Sequence, residues 1–108
     1  MEEDKSVNGF VILTGIVEEE GDQFVSYCRE LGTSSCGDTI DEAFSNLEDA
    51  ITVHLDALQE TGERERVFRE RNISLQRDPR PEEFVVFASP GKTFRIFEEP
   101  VSTGSSAA

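Results

Sequence analysis

Few side chains in this 108-residue chain are of the kinds that carry out chemistry, and their spacing is not that of an enzyme. The single histidine, His54, sits one position from Leu55 in an apolar helical pattern, with no Cys or Asp spaced to form a triad or metal site. It is read as a histidine at the edge of a core. Cys28 and Cys36 lack C-x-x-C spacing, so they predict reduced thiols, with a cross-strand disulfide as the alternative. Carboxylates are abundant. Glu18, Glu19 and Glu20 follow an apolar strand-like run, and Asp38 opens a helix. A two-metal nuclease needs several such acids within ~4 Å of one another; the simpler expectation is a solvated turn and a helix cap. Phosphate-binding glycine loops and nucleophile elbows are absent. Arg64, Arg66, Arg69 and Arg71 alternate with Glu63, Glu65 and Glu70, which predicts a solvated helix face and not a nucleic-acid patch. No metal, cofactor or catalytic residue is expected.

The charge is more informative than any single residue. The net charge is −13. Residues 1–62 hold fifteen acids against two bases, Lys5 and Arg29, whereas residues 63–108 hold eight of each. Phosphates repel such a surface, so nonspecific nucleic-acid binding is disfavoured, and the charge serves either a basic partner or only high solubility. Met1 is followed by Glu2, Glu3 and Asp4, the wrong charge for a signal-peptide n-region, and the longest apolar stretch, Phe10–Leu13, is too short to span a bilayer. A cytoplasmic location without membrane contact is expected.

The elements that position these residues are legible in the pattern. Val7 to Val17 reads as a strand with two apolar faces, Val11, Leu13 and Val17 on one and Phe10, Ile12 and Ile16 on the other. Glu18 to Asp22 reads as a turn around Gly21. Gln23 to Arg29 reads as a second strand with Phe24, Ser26 and Cys28 opposite Val25 and Tyr27, and Thr33 to Cys36 as a short third. Gly37 allows a sharp exit, and Thr39 with Glu42 three residues on forms a capping box. Ile40, Ala43, Phe44, Leu47, Ile51, Leu55 and Leu58 then make one helical stripe, with Gly62 as its stop. Residues 64–72 predict a second helix facing inward through Val67 and Phe68. Asp78-Pro79-Arg80-Pro81 predicts a loop, Phe84–Ala88 a strand, Ser89-Pro90-Gly91-Lys92 a type II turn and Thr93–Phe97 the returning strand. The result is an α+β layer: a three-stranded antiparallel sheet, one main helix on it, and a C-terminal strand or hairpin extending the sheet. One domain is expected over residues 1–100, with a disordered tail at 101–108.

Three segments together carry a family resemblance. Tyr27-Cys28-Arg29-Glu30-Leu31-Gly32, Cys36-Gly37-Asp38-Thr39-Ile40-Asp41-Glu42-Ala43 and Asn46-Leu47-Glu48-Asp49-Ala50-Ile51 resemble the HicB antitoxin-like family over residues 8–62. That family carries a strand ending in a C-P-(D/E)-L-type run, a Q-G-D-T-like turn and an E-A-x-x-N-L-x-E-A-I helix. The resemblance implies a partial RNase H-like fold without the full acidic catalytic set, and a role in binding a small basic HicA ribonuclease toxin and covering its active site. Acidic residues on the antitoxin would steer that encounter. The chain departs from the family at Arg29, where Pro is usual, and in residues 63–100, whose prolines and β pattern match neither a helix-turn-helix nor a ribbon-helix-helix. No direct DNA binding is therefore expected. Apolar strands such as Phe84–Ala88 and Thr93–Phe97 predict pairing into a homo-oligomer, a dimer or larger. The partner-facing residues this implies are Tyr27, Glu30, Asp38 and Asp41, with Gly37, Thr39 and Glu42 building the helix start.

Overall fold

A computed structural model describes residues 8–76 and 91–102. Six elements follow one another: β1 (Asn8–Glu20), β2 (Gln23–Cys28), β3 (Ser34–Gly37), α1 (Ile40–Thr61), α2 (Arg64–Glu70) and β4 (Lys92–Ser102). The strands form one sheet in the order β3-β2-β1-β4, and every pairing is antiparallel. The architecture is α+β, as the pattern predicts, with an open four-stranded sheet. No helix among the described residues is long and apolar enough to cross a membrane.

β1 is central, and it runs further than expected. Glu18, Glu19 and Glu20 are strand residues paired with Val25, Phe24 and Gln23, and the turn shrinks to Gly21 and Asp22. Gly21 adopts φ 62°, and a glycine in the first central position of a two-residue loop matches the right-handed twist of the flanking strands. Cross-strand pairing thus overrides the weak strand propensity of three glutamates. On the other side, β1 pairs with β4 from Asn8↔Ser102 to Glu18↔Lys92. β4 therefore continues five residues beyond Phe97. Val101, placed in the tail by the sequence reading, is 6% exposed and part of the core. Pro100, which lacks a donor, is tolerated because β4 is the outermost strand among the described residues.

The alternation of β1 sets the layers. Val11, Leu13 and Val17 face α1 and are almost wholly buried, together with Ser26 and Cys28 of β2 and Phe97 of β4. The stripe Ala43, Phe44, Leu47, Ile51, Leu55 and Leu58 covers them. Phe44 meets Phe97 edge-on, with ring centroids 6.1 Å apart. Gly15 makes this approach feasible, because a Cβ there would lie 2.5 Å from the Phe97 ring. Phe68 of α2 and Ile73 close the far end of the same core. The second face of the sheet carries Phe10, Ile12, Ile16, Val25, Tyr27, Phe94 and Ile96, most of them half-buried.

The helix boundaries fall where the sequence places them. The Thr39 hydroxyl accepts from the Glu42 N–H at 3.0 Å. The reciprocal bond differs by one residue, since Glu42 accepts from the N–H of Asp38 at 2.7 Å. At the other end Gly62 is left-handed at φ 76°, its N–H meets the Gln59 carbonyl, and the Glu63 N–H meets that of Leu58. The role of Gly37 is different from the one expected. Its backbone is not in the left-handed region; a Cβ there would lie 2.6 Å from the Ala43 nitrogen and 2.9 Å from the Glu42 carbonyl carbon. Gly37 is required by the closeness of the first helical turn. α2 presents Arg66 to solvent between Glu63 and Glu70, as expected of a mixed-charge face, but Arg64 is buried. The expected loop at Asp78–Pro81, the strand at Phe84–Ala88, the start of the turn at Ser89-Pro90 and the tail from residue 103 lie outside the described residues.

Candidate functional site

Topology gathers the acidic residues at one end of the molecule. The β1–β2 turn, the end of β3, the start of α1 and the start of β4 meet there, as the pairings Glu20↔Gln23, Phe24↔Gly37 and Glu18↔Lys92 require. Glu18, Glu19, Glu20, Asp22, Asp38, Asp41 and Glu42 all belong to this end, and all but the half-buried Glu18 are exposed. Two cations from β4 stand among them. Lys92 Nζ is 3.4 Å from Glu18, and Arg95 is 3.4 Å from Asp41. The Arg95 guanidinium also lies over the Phe44 ring, 4.4 Å from its centroid. Between these elements is a cavity of about 240 Å³ lined by Val17, Glu19, Phe24, Ile40, Gly91, Lys92 and Thr93.

The four residues expected to face a partner do not converge. Asp38 and Asp41 share the acidic end. Tyr27 lies on the second face of the sheet, half-buried, and its hydroxyl donates to Glu18 at 3.3 Å. Glu30 follows β2 at the opposite end, and its carboxylate is committed internally. It accepts from the Thr14 N–H at 2.8 Å, from the Thr14 hydroxyl at 2.9 Å and from the Cys28 thiol at 3.7 Å. Glu30 thus takes over the β1 backbone donor that β2 leaves unpaired when it ends. Thr39 and Glu42 build the helix start as expected, and Gly37 leaves room for its first turn. Asn46 Nδ2 donates to the Cys36 carbonyl at 2.9 Å and ties α1 to β3.

His54 accounts for itself as a half-buried residue whose Nδ1 bonds the Thr33 hydroxyl at 2.7 Å. Both cysteines are free, Cys28 buried and Cys36 exposed. Burial pushes the Cys28 thiol up to about 11, and the nearby Glu30 carboxylate adds to the shift. It is therefore a poor nucleophile at neutral pH. Among the described residues no group of three or more His, Cys, Asp or Glu is placed to hold a metal ion.

One titratable group escaped the sequence reading. Glu99 of β4 points to the helix side of the sheet and is 5% exposed, with Oε2 lacking a hydrogen-bond partner. Burial, and secondarily the Glu48 carboxylate of α1, raise its carboxyl to about 7. The signal was present but unread: Phe97, Glu99 and Val101 alternate with the solvent side, so a strand continuing past Phe97 turns Glu99 inward.

Comparison with protein-family models, with curated proteins and with solved structures finds no match to this chain.

Proposed function

We propose that this chain is an antitoxin-like binding protein of HicB type that neutralises a small, basic HicA-type ribonuclease by covering its active site, and that it is not itself an enzyme. The observation that carries the reading is the set of seven acidic residues at the end built by the β1–β2 turn and the α1 start, against two cations there that are already ion-paired. Such a field attracts a basic protein and repels RNA. The order of three antiparallel strands followed by a long capped helix is compatible with a partial RNase H-like fold. In this reading the protein is cytoplasmic, uses no cofactor and does not bind DNA directly. The test is a pull-down of the tagged chain from its own organism at moderate salt, with the bound proteins identified by mass spectrometry and the partner assayed for RNA cleavage. Recovery of a small basic ribonuclease whose cleavage stops on adding this chain supports the reading. A partner that keeps cleaving, or recovery of the chain alone, refutes it.

A second reading is a solitary HicB-like module that self-associates. It is favoured by the half-buried Phe10, Ile12, Phe94 and Ile96 of the second sheet face, and by β4 as the outer strand among the described residues. Sedimentation that gives a dimer or larger species without any partner would favour it. A weak RNase H-type nuclease would use Glu18 and Asp38, but Glu18 is held by Lys92 and Tyr27. Cleavage of an RNA–DNA hybrid with Mg²⁺ that is lost in Glu18→Ala and Asp38→Ala would be needed to sustain it.

A further inference from the structure

We propose that the cavity at the acidic end is a docking pocket for one apolar side chain of a basic polypeptide, flanked in that polypeptide by lysines or arginines. This deepens the binding role above and rests on it for the nature of the partner. At about 240 Å³ the cavity is smaller than the ~300–1,000 Å³ of sites that enclose a whole small molecule, and its size suits a single anchoring side chain. Its lining is mixed, with Phe24 and Ile40 apolar and Glu19, Lys92 and Thr93 polar. Val17 is 1% exposed, and Phe24 and Ile40 pack against the core as partly buried residues. These side chains are fixed by the sheet register and by the capped start of α1, so the pocket is formed before a partner arrives.

Charge complementarity chooses the occupant. Lys92 and Arg95 are engaged with Glu18 and Asp41. Glu19 in the lining carries no ion pair among the described residues, and neither do Glu20 and Asp22, which follow it in the chain. An apolar side chain entering between them brings neighbouring residues against unpaired carboxylates, which cations satisfy and anions do not. At this pocket the acidic end of a second copy is disfavoured, and a nucleic acid is disfavoured for the same reason.

The test is a nuclear magnetic resonance titration of the full chain with two short peptides. Both have two arginines on each side of a central residue, which is phenylalanine in one and glycine in the other. The phenylalanine peptide is expected to shift the amides of Val17, Phe24, Ile40 and Thr93, to weaken with added salt, and to bind at least ~10-fold tighter than the glycine peptide, since burial of one aromatic side chain supplies about that factor. Thr93→Trp, a filling substitution from an exposed strand position, is expected to abolish the difference. Equal binding of the two peptides overturns the proposal and leaves only a diffuse acidic surface. Concentration-dependent broadening at the pocket without peptide binding overturns it in favour of a second copy. The two proposals fail separately. Capture of a basic ribonuclease equally by wild type and Thr93→Trp keeps the antitoxin reading and removes the pocket. Peptide binding with no toxin recovered keeps the pocket and removes the toxin.

Discussion

Glu99→Gln should make the protein more stable at pH 8 and leave it almost unchanged at pH 5. Glu99 lies between β4 and α1, 5% exposed, with the Glu48 carboxylate as the charged group facing it. Its carboxyl titrates at about 7 in the fold against 4.5 ordinarily. A raised folded value means that the native state holds a proton the unfolded chain has released. The stability from the protonated form is therefore fully present below pH 4.5, falls as pH rises, and is gone above about pH 7. Each pH unit in that window removes about 1.4 kcal/mol, so the whole window is worth about 3 kcal/mol. That is a large share of the ~5–15 kcal/mol that holds a domain together. Glutamine keeps the shape and supplies a permanent N–H where the proton stood, so it should recover about 2–3 kcal/mol at pH 8. The assay is urea unfolding of both proteins at pH 5, 6, 7 and 8, followed by far-ultraviolet circular dichroism, with the slope checked for constancy. The many other carboxylates also titrate, but they are common to both proteins and cancel in the difference. Glu48→Gln should give a smaller gain, because burial is the larger cause of the shift. A stability difference between wild type and Glu99→Gln that is the same at pH 5 and pH 8 would refute the placement of Glu99 in the core.

Four further substitutions or labels probe the remaining construction. Glu30→Ala should cost about 2 kcal/mol in urea unfolding, because it strands the Thr14 N–H that the carboxylate accepts. Its affinity for any partner should be unchanged, and a loss of binding in a stably folded variant would return Glu30 to the interface. Gly37→Ala should cost roughly 3 kcal/mol, read as a lowered melting temperature, since its methyl group would meet backbone of Glu42 and Ala43 that cannot turn aside. Ser26→Ala should raise stability by about 1 kcal/mol, because the fully buried Ser26 hydroxyl has no partner; a loss of stability would show that the hydroxyl is satisfied. Iodoacetamide should modify Cys36 rapidly and Cys28 only on unfolding, as mass spectrometry of the labelled chain would report.

The parts of the fold that were legible are those where one local signal decides. Thr39, Glu42 and Gly62 fix α1 because a cap and a stop act through backbone within a turn. The alternation in β2 places Ser26 and Cys28 inward because strand geometry admits no other assignment once Val25 and Tyr27 are outward. The parts that were not legible depend on pairing between distant residues. Nothing local makes Glu18, Glu19 and Glu20 a strand; their partners Val25, Phe24 and Gln23 do. Likewise Val101 becomes core only because β4 runs alongside the whole of β1. The same limit governed the site. Asp38 and Asp41 were visible as helix-start acids, but Lys92, Arg95 and Thr93 join them through a crossover that sequence spacing does not encode. Glu30, expected among the polar residues facing a partner, accepts from the Thr14 N–H because β2 ends before β1 does.

The acidic end also raises the question of how so many like charges are tolerated in a small domain. Part of the answer lies in where they sit. Asp41 and Glu42 occupy the first turn of α1 and Asp38 precedes it, so three of the seven lie at the positive end of a 22-residue helix. Each gains about 0.3–1 kcal/mol there, against mutual repulsion of similar size between exposed charges. Lys92 offsets Glu18, and Arg95 adds to the compensation of Asp41. What remains least compensated is Glu19 and Glu20 at the end of β1 and Asp22 in the turn. The fold therefore carries the repulsion among these three, and a partner that neutralises them releases it. It follows that the charge the fold leaves uncompensated and the charge that caps α1 are separate sets. Ile40 is the contribution of α1 to the pocket wall, while Glu19 and the β1–β2 turn supply the field that draws a cation towards it.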